Sequence, residues 1–151
     1  MAARTERWTL NHLIQTCHDG ERGFRFAADH ATDPVVKALF LEIAEQRQQF
    51  AGELLRHAHR LGGETEATDG TFVGALHRGW MTVKETLAPH DDGGMIKEAE
   101  RGERAALAAY KEAIEGMLPP ESRDLIESQR AQVEHTYRRL ETLLAKNAVG
   151  S

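Results

Sequence analysis

The sequence predicts an all-α fold, an antiparallel four-helix bundle built from two helical hairpins and a helical crossover. Three observations carry that expectation. Apolar residues recur at the spacing of a helix that buries one face, in long runs where no strand-like alternation competes. Of the four prolines, three stand where helices start or stop, because the residue suits a first turn and breaks an interior. A short Gly-Glu-Arg motif in the first helical segment also returns in the third.

The first segment, about 6–31, places Leu10, Leu13, Ile14, Cys17, Phe24, Ala27 and Ala28 on one stripe. Asp33-Pro34 reads as an N-cap and first helical residue, and opens a second segment over about 34–61. That segment turns Val36, Leu39, Phe40, Ile43, Phe50, Leu54 and Leu61 inward, and Gly62-Gly63 ends it. A shorter helix is expected at about 71–88, with Val73, Leu76, Trp80, Val83 and Leu87 on one side. The loop Pro89-His90-Asp91-Asp92-Gly93-Gly94 follows it. The third segment, about 94–117, carries Ile96, Ala99, Ala106, Leu107, Tyr110, Ile114 and Met117. Pro119-Pro120 separates it from the fourth, about 120–146, with Leu125, Ile126, Val133, Tyr137, Leu140 and Leu144. Short connections at Asp33-Pro34 and Pro119-Pro120 force two antiparallel hairpins, so the stretch from 62 to 93 must cross over. The composition of the last residues, about 146–151, suggests a loose tail.

With 151 residues the chain is long enough to bury a core without disulfides or a structural metal, and it reads as one domain over 1–151. Its 19 basic and 24 acidic residues leave a net charge of −5, with both signs scattered along the chain. That pattern argues against nucleic acid or an anionic membrane as partner. The single cysteine, Cys17, excludes an intramolecular disulfide or a thiolate cluster within one chain and fits a reducing cytoplasm. The N-terminus lacks the apolar stretch of a signal peptide and no run matches a membrane span, so a soluble, cytoplasmic protein is expected.

The motif Gly20-Glu21-Arg22 recurs as Gly102-Glu103-Arg104, with matching apolar phase on either side. Helical phase turns both Glu21 and Glu103 into the apolar stripes. A carboxylate in a bundle core is costly unless it is paired, hydrogen-bonded or bound to a cation. Arg47 lies on the stripe through Ile43 and Leu54, and its fixed charge and five donors can span both glutamates. The reading is therefore a buried polar layer of Glu21, Arg47 and Glu103, with Gln129 and Gln132 satisfying the remaining lone pairs. The eight histidines fall in every segment without an inward His-x-x-x-His pair, and Cys17 reads as a small core residue.

Two hairpins with one inward glutamate each resemble the ferritin and rubrerythrin superfamily. Its di-iron site takes single glutamates from two helices and a Glu-x-x-His from each of the other two. Gly20-Glu21 and Gly102-Glu103 look like the single-glutamate helices, and Ala44-Glu45-Gln46-Arg47-Gln48-Gln49-Phe50-Ala51 resembles the neighbourhood of the first Glu-x-x-His. Aligned that way, the remaining ligand positions hold Arg47, Phe50, Val133 and Thr136, which cannot reproduce the ligation. The crossover Gly74-Ala75-Leu76-His77-Arg78-Gly79-Trp80, with the Gly-Glu repeats and the proline punctuation, is similar to one bacterial ferritin-like family of unknown function. That resemblance implies the fold strongly and activity only weakly, since function resides in the site.

Two functions follow as expectations. The favoured one is a non-enzymatic bundle without cofactor, a cytoplasmic protein that associates with itself or with a protein partner. Its crossover helix covers a groove between the hairpins; alternatively, His77 and Trp80 belong to a partner surface. The other is a divergent protein that binds iron or another divalent metal through Glu21 and Glu103 with Gln132 or His135, for redox or storage work. The direction of the Arg47 side chain separates the two.

Overall fold

The computed structural model describes residues 2–61 and 92–149. Four helices fill these stretches: α1 (Ala2–His30), α2 (Pro34–Arg60), α3 (Asp92–Glu115) and α4 (Pro120–Val149). Among the described residues there is no strand. The expected crossover helix at 71–88, with His77 and Trp80, lies outside them. No helix among the described residues is long and apolar enough to cross a membrane.

Each boundary has a local cause. Pro34 opens α2 where its missing N–H costs nothing, and the Asp33 side chain accepts from Val35 N at 2.8 Å. Pro119-Pro120 stops α3 from running on and restarts the chain as α4. Two boundaries depart from the sequence reading. Helix α3 begins at Asp92 and takes Gly93-Gly94 into its first turn. Helix α4 continues to Val149, past the expected start of a loose tail at 146, because no proline or glycine interrupts it before Gly150.

Two sets of ties fix the helix directions. At one end the Asp92 carboxylate, opening α3, accepts from Thr32 N (3.0 and 3.2 Å), Thr32 Oγ1 (3.1 Å) and Asp33 N (2.8 Å) in the α1–α2 turn. At the other end Ser122 of α4 donates to Glu6 of α1 at 2.6 Å, and its hydroxyl lies 2.6 Å from His57 Nε2 of α2. Helices α2 and α3 therefore run one way and α1 and α4 the other. The stretch from 62 to 91 joins opposite ends of the bundle, as two hairpins with one long crossover require.

Among the described residues the core divides into two apolar clusters. One, toward the Ser122 end, includes Leu10, Cys17, Phe50, Leu54, Leu107, Tyr110, Ile126 and Val133. The other, toward the Asp92 end, includes Phe24, Phe40, Ile43, Ile96, Ala99 and Leu140. On every helix the break between them falls at one height: Gly20 on α1, Arg47 on α2, Glu103 on α3 and Thr136 on α4.

Candidate functional site

At that height Arg47 enters the core from α2. Its neighbours on the stripe, Ile43, Phe50 and Leu54, are buried, so helical phase directs its side chain toward the core. Helix α1 makes room with Gly20, where an added Cβ would stand 3.3 Å from Arg47 Cγ. Opposite, α3 presents Glu103. The two form a bidentate pair, Nη1 to Oε1 at 2.6 Å and Nη2 to Oε2 at 2.5 Å, with side chains only 2% and 1% exposed. Thr136 of α4 completes the cluster: its hydroxyl accepts from Arg47 Nη2 at 3.3 Å and donates to Glu103 Oε2.

The electrostatics are those of a closed pair. Burial works against the guanidinium charge, but the facing carboxylate outweighs it and lifts the Arg47 pKa above its ordinary value. The planar fork matches the carboxylate with two parallel hydrogen bonds, a geometry a lysine cannot supply. Arg47 Nε is buried with no hydrogen-bond partner among the described residues.

The remaining proposed members of the layer lie elsewhere. Glu21 sits at the rim, 18% exposed, where its carboxylate accepts from Arg25 Nε at 3.1 Å. The expected layer of Glu21, Arg47 and Glu103 does not form: the position on α1 that faces the ion pair belongs to Gly20, and among the described residues Arg47 has one carboxylate partner, Glu103. Gln132 is exposed and donates to Ser128 O at 3.4 Å, because it stands one residue, about 100° of helical turn, from the buried Val133. His135 is exposed as well, beside an open cleft between α2 and α4. The tetrad Glu21, Glu103, Gln132 and His135 does not assemble.

Gln129 is buried but serves a second network. It accepts at Oε1 from the Tyr110 hydroxyl (2.6 Å) and donates through Nε2 to Phe50 O (3.3 Å) and Glu53 Oε1 (3.0 Å). The Cys17 thiol lies 3.2 Å from the Tyr110 oxygen. Since Tyr110 gives its one proton to Gln129, the thiol is the donor in that contact. Sequence reasoning placed Cys17 and Tyr110 on their stripes but missed their pairing across 93 residues. A tyrosine hydroxyl on a buried stripe needs a partner, and that was the available signal.

Burial raises the Cys17 pKa from 9.0 to about 11 and holds Tyr110 well above its usual value. A thiol whose folded pKa exceeds its unfolded one contributes stability that is intact below pH 9 and lost as pH rises through about 11. That difference is worth about 3 kcal/mol. Denaturant melts between pH 8 and 11.5 are therefore expected to show falling stability, with a shallower fall in Cys17→Ala. Equal slopes in the two proteins would exclude this account.

A di-metal centre does not fit these residues. Both oxygens of Glu103 are held by Arg47, Phe50 and Val133 offer no donor atom, and Glu21 is engaged at the surface. Among the described residues no three His, Cys, Asp or Glu side chains gather where they would hold an ion.

The helix order, two antiparallel hairpins with one long crossover, is that of a ferritin-like four-helix bundle. A crystal structure of a two-domain protein from Anabaena variabilis, containing DJ-1/ThiJ/PfpI-like and ferritin-like domains, superposes on 97% of this chain with a TM-score of 0.77. The two are 17% identical, and this chain spans 40% of the length of that one. The chain belongs to the family described as "Domain of unknown function (DUF2383)", whose model matches residues 7–116, from α1 through α3. No curated protein matches the sequence.

Proposed function

We propose that this chain is a non-enzymatic, cytoplasmic ferritin-like bundle that works by association, with a second copy or another protein. On this reading the Arg47–Glu103 pair occupies the place of a di-metal centre. The observation that carries it is the bidentate, fully buried pairing at the height where the two apolar clusters part. A guanidinium there supplies the positive charge that a metal would otherwise bring to a buried carboxylate. The rival, an iron or other divalent-metal protein with redox or storage activity, needs donors that the described residues of this core do not gather.

The test is elemental analysis of the full chain purified from cells grown with added iron, and again after dialysis against excess divalent metals. The expected result is no stoichiometric metal in either sample. One or more equivalents retained per chain, lost in Glu103→Gln, would overturn this reading.

A further inference from the structure

Resting on that reading, we propose that the outer face formed by α2 and α4 is where two copies of this chain associate. They lie parallel, about a two-fold axis running along the bundle. Among the described residues the seam between these helices opens, toward the Asp92 end, into a cleft of about 840 Å³ floored by Pro34, Val35, Ala38 and Leu39 of α2 and Leu143 of α4. Val35 is 69% exposed while Leu39 beside it is 8% exposed. Part of an apolar floor is thus left facing outward.

The charges of this face are self-complementary. Across the seam Glu42 and Arg139 pair at 2.6 Å, yet remain 58% and 41% exposed, so each can face outward as well. Arg60 follows Glu42 by eighteen residues on α2, and Glu121 precedes Arg139 by the same interval on α4. Eighteen residues is about five turns, so each residue stands in the same helical phase as its counterpart, toward the other end of the bundle. Arg60 and Glu121 are both exposed. Near the Asp92 end, then, α2 is acidic and α4 basic; near the Ser122 end the signs reverse.

A two-fold axis along the bundle lays α2 over the partner's α4 at equal height, as an isologous interface requires. Glu42 then meets the partner's Arg139, and Arg60 meets the partner's Glu121. Val35 meets the partner's cleft. An antiparallel two-fold also matches the charges, but pairing Glu42 with the partner's Arg60 carries Val35 about 10 Å beyond the end of the partner's α2, so the parallel form alone sets apolar floor against apolar floor. The area suffices. At 1.5 Å per residue α2 is about 40 Å long, and two helices side by side are about 20 Å wide, giving about 800 Å² per copy, the size of a standard interface.

Sedimentation equilibrium of the full chain tests this, with melting curves to verify that each variant folds. The expected wild-type species is a dimer in the micromolar range. Val35→Arg should raise the dissociation constant by at least about tenfold. Glu42→Arg and Arg139→Glu should each weaken the dimer, and the double swap should restore it. Spin labels on Leu61→Cys should lie at the same end of the dimer, well under the roughly 30 Å that the charge-matched antiparallel pair would impose. A monomer at every concentration, a dimer indifferent to Val35→Arg, or labels about 30 Å or more apart would each overturn the proposal. A metal-bearing dimer would sink the reading of the core and leave this surface standing, whereas a metal-free monomer would do the reverse.

Discussion

Arg47→Ala is expected to lower folding stability by about 3–5 kcal/mol, because it leaves the Glu103 carboxylate buried and unpaired. The size follows from where the pair sits. Both side chains are essentially inaccessible, so water cannot move in to solvate the abandoned charge as it would at a surface bridge. Truncation also opens a void beside Gly20, whose lack of a side chain is matched to the Arg47 stem. The double variant Arg47→Met/Glu103→Leu should regain most of the loss, since apolar residues of similar volume can replace a buried ion pair at little cost. Urea melts at neutral pH read both values. A single variant that melts like wild type would show that the pair is not closed in solution, and a double variant as damaged as the single would show that packing, not charge, sets the effect.

The second large effect is expected at Asp92. Its carboxylate accepts from two backbone amides and a hydroxyl of Thr32 and Asp33, 60 and 59 residues away in sequence. Hydrogen bonds to a charged acceptor are individually worth about 1.5–3 kcal/mol but share one side chain here, so Asp92→Ala should cost about 3 kcal/mol in all. Faster hydrogen exchange at the Thr32 and Asp33 amides should accompany it. Asp92→Asn, which keeps one acceptor oxygen, should fall between. Destabilisation without faster exchange at those amides would place the effect in α3 itself.

The sequence made the scaffold legible because its signals are local. Proline at the start of α2 and α4, the 3.6-residue apolar period and the Gly-Glu repeat each act within a few residues, and the helices stand where they point. The place of Arg47 on an apolar stripe was legible for the same reason, although its inward turn, which a snorkelling side chain could have avoided, rests on the room left by Gly20 and on Glu103 opposite. Glu21 was not legible. The repeat makes it look equivalent to Glu103, but a few tens of degrees of rotation decide whether a side chain lies at the centre or the rim of a helix face, and packing sets that rotation. Gln132 failed by a single step of phase. The contacts of Tyr110 with Cys17 and of Ser122 with Glu6 span 93 and 116 residues, and no periodicity reports on such pairings.

The polar ties also bear on how helices choose their alignment. An apolar stripe nearly repeats itself each turn, so two such stripes could slide by about 5.4 Å and still bury most of their surface. The Arg47–Glu103 fork, the Asp92 clasp and the Glu6–Ser122–His57 chain cannot slide, because each loses its partner in any other position. They stand at the middle and at the two ends, like three pins through a stack of rods. Greasy contact supplies most of the cohesion in this bundle, and a handful of directional bonds determines which of several similar stackings the chain adopts.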